Sequence, residues 1–243
     1  MARARRLSAK ERKRQIIETA RAVFASQGYA HAGTADLAKA AGVSEPALYR
    51  YFPRKKDIFL ATLRDTGSRL LEIWQNVAYE VEDPLETLWA IAVRYYDHLD
   101  SRAASMKLAF QALCEADDLD IRQAARENFV RFADFVAEIV EEGKARGIIR
   151  PDVDPRVAAW QFVGSGLTLD LVHLLGLRVE VGRERVEEWG RLYLRSIRAA
   201  PPEAPAEALL GQLSREAVPP RQPPGLEVAQ TLGAGWEAWE SEH

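Results

Sequence analysis

The segment from Gly28 to Phe59 leaves little choice of fold, because one helix must end and another begin almost back to back. Leu37 and Ala38 share one face of a short helix, Gly42 breaks it, and Val43 tucks beneath the turn. Ser44 can cap the next helix, its hydroxyl accepting from an otherwise orphaned backbone N–H. Pro46 then falls in the first turn, where a missing N–H costs nothing. The new helix carries Ala47, Leu48, Tyr49, Arg50 and Tyr51. It is short enough to lie in a major groove roughly 12 Å wide. Two short helices about a Gly-containing turn are a DNA-reading device more often than not.

Charge points the same way. Residues 1–60 hold 13 Lys or Arg against 5 Asp or Glu, a balance of +8, while the whole chain is −3, leaving −11 on residues 61–243. A basic head on an acidic body is the footprint of a module that touches phosphate while the rest is repelled by it.

The run Ala41-Gly42-Val43-Ser44, followed by Leu48-Tyr49, Tyr51-Phe52-Pro53 and Lys55, resembles the signature of the tetracycline-repressor (TetR) family. The resemblance is specific over the first quarter of the chain and continues only as a helical pattern of suitable length. It implies an all-α protein: a three-helix helix-turn-helix head, then a helical bundle for ligand binding and dimerisation. One departure stands out. Where the family usually has Ser or Thr capping the helix before the turn, this chain has Gly33 followed by Thr34. Either can be the cap, and the phosphate contact expected there falls to Thr34.

By that resemblance the helix from Ser44 supplies the base contacts. Glu45 and Pro46 lie nearest the groove floor, a carboxylate suited to cytosine N4 and a ring suited to a thymine methyl. A solvated Glu at a helix start is equally stable with no DNA, so Glu45 has two readings. Tyr49 and Tyr51 place hydroxyls on phosphates, and Tyr51 can alternatively be core. Leu48 and Phe52 are core. Arg50 reaches a guanine or the backbone. Lys55, at the start of the fourth helix, draws a phosphate, and Arg3, Arg5 and Arg6 form a basic arm for the minor groove.

Three regions are expected: residues 1–53 as the DNA-binding head with its arm, 54–200 as the helical body, and 201–243 as a disordered tail. Seven of the 12 prolines fall in the last region. Helices are expected over 9–27, 34–41, 44–52 and from after Pro53 to about Glu80, then 84–99, 103–115, 121–146, 155–176 and 183–198. Nothing alternates in the manner of a strand. The N-terminal stretch carries no apolar segment suited to a signal peptide. The apolar run 157–177 contains Gln161, Asp170 and His173, which favours a buried helix over a membrane span. The single Cys114 excludes an internal disulfide and suits a reducing cytoplasm.

The body can bury a core and still hold a cavity. Candidate linings are Trp74, Trp89, Tyr95, Tyr96, His98 and Met106. Phe110, Cys114, Phe129, Phe132 and Phe162 complete them, and any one of these can instead be plain core. As a set they suit an apolar, aromatic or acyl effector. The last two helices need a partner, and in the family the equivalent pair forms a four-helix interface between two copies. Trp160, Leu167, Leu171, Leu174, Trp189 and Tyr193 are the interface candidates. Asp170 and His173 share a helix face, better suited to a hydrogen-bonded pair at that interface than to a metal site with no third ligand. Gly164–Gly166 lacks the preceding strand of a phosphate loop and means close helix packing.

The expectation is a cytoplasmic, homodimeric transcriptional repressor that binds a palindromic duplex and is released by a small molecule. No cofactor, metal or membrane contact is expected. An activator, or a dimer governed by a partner protein, fits the same residues. An enzyme using the cavity fits poorly, since no nucleophile triad, nucleotide loop or Glu-x-x-His pattern is present.

Overall fold

The computed structural model describes residues 7–200. The basic arm with Arg3, Arg5 and Arg6, and the Pro-rich region from 201 onward, lie outside the described residues.

The described residues are helical, with no strand among them. The head holds α1 (Ala9–Gln27), α2 (Thr34–Ala40) and α3 (Glu45–Tyr51), and α4 (Lys55–Glu80) runs out of it into the body. The body continues with α5 (Pro84–Asp97), α6 (Leu99–Cys114), α7 (Leu119–Ala145), α8 (Pro155–Leu174) and α9 (Arg183–Ile197). A single 3-10 turn, Leu177–Val179, joins the last two.

Local chemistry sets most of the boundaries. Ser8 and Glu11 form a reciprocal capping box at α1, the Ser8 amide donating to the Glu11 carboxylate at 2.7 Å. Asp83, Asp118 and Asp154 cap α5, α7 and α8, and Pro84 and Pro155 occupy the first turns they open. Gly42 sits at φ 64° in the turn between α2 and α3, the left-handed region that favours glycine. One boundary differs from expectation by more than two residues: α6 begins at Leu99 rather than Ala103. His98 ends α5 and starts α6 with no Gly or Pro between them, so no local signal marks the bend.

The apolar core of the head does not stop at residue 53. Ile16, Phe24, Leu37, Leu48 and Phe59 pack in one continuous cluster with Leu108 and Ala112 of α6 and with Ile121, Ala124 and Ala125 of α7. Polar contacts fasten the same junction. The Gln111 side-chain amide donates to the Phe24 carbonyl at 2.8 Å, and Lys56 bridges Asp118 and Asp120 at 3.0 and 2.7 Å. The Lys56 ammonium holds the Asp118 carboxyl below its ordinary range. A second cluster, containing Trp74, Leu88, Ile91, Phe132 and Val136, fills the far end of the body.

At Gly67 α4 and α7 touch so closely that a Cβ would fall 2.2 Å from the Asn128 side chain. Asn128 cannot easily swing away, since it is buried and its amide donates to the Leu63 carbonyl at 2.9 Å. Ala ordinarily stabilises a helix interior by about 1 kcal/mol over Gly. Here Gly67→Ala is expected to lose roughly 1–3 kcal/mol through overpacking. Urea midpoints of the two proteins check this, and a gain in stability would mean that the two helices part freely.

Candidate nucleic-acid interface and ligand cavity

Gly33, not Thr34, is the N-cap of α2, and no side chain caps that helix. Thr34 becomes its first residue, with its hydroxyl turned across to the recognition helix. It donates to the Glu45 carboxylate at 3.2 Å and accepts from the Tyr49 hydroxyl at 3.4 Å. Thr34, Glu45 and Tyr49 thus form one polar cluster joining the two helices of the motif. Ser44 caps α3, accepting from the Ala47 amide at 3.3 Å, and Pro46 lies in the first turn.

Leu48 and Phe52 point inward and are buried, which leaves Ser44, Pro46, Tyr49 and Arg50 exposed on the other side of α3. Tyr49 keeps 45% of its surface open, high for a large ring. Tyr51 is half-buried and packs against the head's core. Lys55 leads α4, but its ammonium is engaged within the head. It donates to the carbonyls of Tyr29 and Ala30 at 2.8 and 3.1 Å and lies 4.8 Å from the centre of the Tyr29 ring. Those carbonyls follow Gly28 in the loop after α1, a long-range pairing that sequence spacing does not reveal. Exposed Lys39, in the last turn of α2, adds a cation beside the turn.

The body encloses a cavity of about 110 Å³ between α4, α5, α6, α7 and α8. Of the expected lining residues, Trp74, Tyr95, Met106, Phe129, Phe132 and Phe162 face it. The other five do not. Trp89 packs on Gly190 of α9 and is overlaid by Arg191, while Tyr96 lies under Arg183. His98 is the exposed cap between α5 and α6, Cys114 is exposed at the end of α6, and Phe110 is half-buried away from the cavity. Aromatic content located the cavity's neighbourhood, but the rotation of each helix decided which rings reach it.

Polar groups in the cavity were harder to foresee. Asp170 is buried and accepts from the Tyr95 hydroxyl at 2.8 Å, while Arg102 stacks 4.1 Å from the centre of the same ring. The Asp170 partner is therefore Tyr95 on α5, which corrects the expected pairing with His173 at a subunit interface. Burial pushes the Asp170 carboxyl above its ordinary range, against the opposing pull of the Arg102 charge. Burial likewise raises the Tyr95 hydroxyl. Among the described residues no group of three or more His, Cys, Asp or Glu side chains is placed to hold a metal ion.

The expected interface residues also divide. Trp160 and Leu171 are exposed at 43% and 46%, and with Val157, Gly164, Thr168 and Leu175 they trace one stripe along the outer side of α8. Leu167 instead lines the cavity, and Leu174 and Trp189 pack into a small cluster around Leu99, Met106 and Leu169. Tyr193 packs into the second core and donates to the Ala158 carbonyl at 3.0 Å. α8 is apolar on most sides, so no periodicity could tell its outer face from its inner one. No described helix is long and apolar enough to cross a membrane.

Residues 16–62 match the family model for bacterial regulatory proteins of the tetR family. The chain is 25% identical over 151 residues to the fatty acid metabolism regulator protein of Bacillus subtilis, covering 62% of this chain and 77% of that one. Its fold is similar to that of a TetR transcriptional regulator from Chloroflexus aurantiacus, with a TM-score of 0.66 and 20% identity over 79% of this chain and 98% of the other. It is also similar to the transcriptional regulator FadR from Bacillus subtilis, crystallised in complex with stearoyl-CoA. There the TM-score is 0.59, with 24% identity over 75% of this chain and 95% of that one. Residues 16–62 thus form a DNA-binding head of the tetR family of bacterial regulatory proteins, carried on a body whose fold is similar to that of a TetR transcriptional regulator.

Proposed function

We propose that the chain is a cytoplasmic, homodimeric repressor, rather than an enzyme, that binds a palindromic operator and is released by a small apolar molecule held in the body. The observation that carries this reading is the sharing of residues between the head and the cavity. Leu63 of α4 and Ala125 of α7 belong to the head's core and line the cavity as well. A molecule that changes the spacing of α4 and α7 also moves the support on which α3 rests. An effector releases DNA only by as much as it prefers the state with the altered spacing of the two recognition helices. The FadR neighbour, crystallised with stearoyl-CoA, supports a ligand in a body of this fold.

The test is selection of bound sequences from a random duplex pool by the purified protein at moderate salt. An enriched palindrome with half-sites about 34–36 Å apart is expected. Binding without enrichment, decaying steeply with salt, would reduce the interaction to phosphate attraction. With the selected duplex in hand, Arg50→Ala is expected to weaken binding by roughly 1–3 kcal/mol. Relaxed preference at one base pair would assign Arg50 to a guanine. A uniform loss with a shallower salt dependence would assign it to a phosphate. Unchanged affinity would remove Arg50 from the interface.

A further inference from the structure

The cavity's polar groups are unevenly satisfied, and the imbalance has one direction. Two buried nitrogens on lining residues meet no hydrogen-bond partner: Nη1 of Arg102 and Nε1 of Trp74. Both can only donate. Among the described residues no lining acceptor is orphaned in the same way, and the Asp170 carboxylate receives the Tyr95 hydroxyl at 2.8 Å. A buried donor left unpaired costs roughly 1–3 kcal/mol, so a molecule that brings it an acceptor is favoured by relieving that cost. A molecule that brings only donors relieves nothing.

Charge narrows the class further. Arg102 and Asp170 are of opposite formal charge and line the same cavity, so they offset one another. The remaining walls are mostly apolar or aromatic, among them Trp74, Phe129, Phe132 and Phe162. A carboxylate entering such a site would bring a second negative charge beside Asp170 with one cation between them, at a steep desolvation cost. A neutral carbonyl brings the acceptor without the charge.

Resting on the reading of this cavity as the effector site, we infer that its ligand is a compact apolar molecule. It bears a neutral acceptor oxygen, as in a ketone, ester or lactone, that receives a hydrogen bond from Arg102. The aromatic rings hold the hydrocarbon part, and Arg102 selects the oxygen. Trp74 offers a second donor, on another wall.

Three eight-carbon probes of near-equal size test this by calorimetric titration of the full chain: acetophenone, ethylbenzene and phenylacetate. Acetophenone is expected to bind about tenfold more tightly than ethylbenzene, the equivalent of one well-made hydrogen bond, and more tightly than phenylacetate. In Arg102→Met the advantage over ethylbenzene is expected to vanish while ethylbenzene affinity stays unchanged; Arg102→Lys, which retains a donor, keeps part of it. If the Met variant does not fold, the ranking of the three probes on the unaltered chain still decides the matter. Equal binding of acetophenone and ethylbenzene would overturn the acceptor inference and leave the cavity as an effector site. Tightest binding by phenylacetate would overturn the charge argument and with it the proposed class. Binding of none of the three would overturn the reading of the cavity itself.

Discussion

Phe59→Ala is expected to cost about 3–5 kcal/mol, the usual range for emptying a fully buried aromatic site. Phe59 has no exposed surface, and its ring meets Phe24 edge-on at 5.1 Å and Tyr29 at 4.5 Å. Those three rings tie the start of α4 to the end of α1 and so fix the floor beneath α2 and α3. Domains of ordinary stability have about 5–15 kcal/mol in hand, so the loss takes up a large part of it. The head's core runs on into α6 and α7 through Leu108, Ala112 and Ile121. A single cooperative transition at lower urea is therefore expected, rather than an early melting of the head alone. Phe59→Leu, which keeps most of the volume, is expected to lose less than half as much. A separate early transition in Phe59→Ala would show that head and body are energetically independent.

Leu171→Glu is expected to convert the proposed dimer into monomers and to lower affinity for the proposed operator about 100-fold or more. Leu171 lies in the middle of the outer stripe on α8, where Val157, Trp160 and Leu175 are also exposed. Under a two-fold axis the stripe meets its own copy, so one substitution places two carboxylates in the interface, opposed and desolvated. A lone recognition helix reads only one half-site, and the second half-site's contribution is lost with the partner. The fold itself should be spared, because the Leu171 side chain does not enter any of the three cores. Sedimentation velocity reads the mass, and a gel shift on the selected palindrome reads the affinity. A dimer that persists in Leu171→Glu would place the subunit contact elsewhere on the surface.

These two sites differ in how far the sequence disclosed them. Phe59 sits inside the signature from Ala41 to Lys55 and the helix that follows, where local rules were sufficient. Gly42, Ser44 and Pro46 act on the backbone within a few residues of themselves, and their effect is nearly independent of what packs around them. The Asp caps at 83, 118 and 154, two of them followed directly by Pro, are equally local. That is why most helix boundaries could be read to within a residue or two, and why the basic head and acidic body were visible from charge alone. Where the chain bends without punctuation, at His98, the boundary was missed.

The cavity and the outer face of α8 were another matter. α8 is apolar nearly all round, so its sequence could not say that Leu167 turns inward while Leu171 turns out. Tyr95 and Asp170 meet across 75 positions of sequence, and Asn128 reaches the Leu63 carbonyl across 65. No spacing rule connects such pairs, because the angle at which each helix docks sets them. Sequence by itself determined the helices, their ends and the DNA-reading motif, since caps, turns and charge act over short distances along the chain. Only the tertiary structure decided which rings enclose the cavity, that Arg102 and Asp170 share it, and that the head's core extends onto α6 and α7. Those depend on helix rotation and long-range packing, which no single segment encodes.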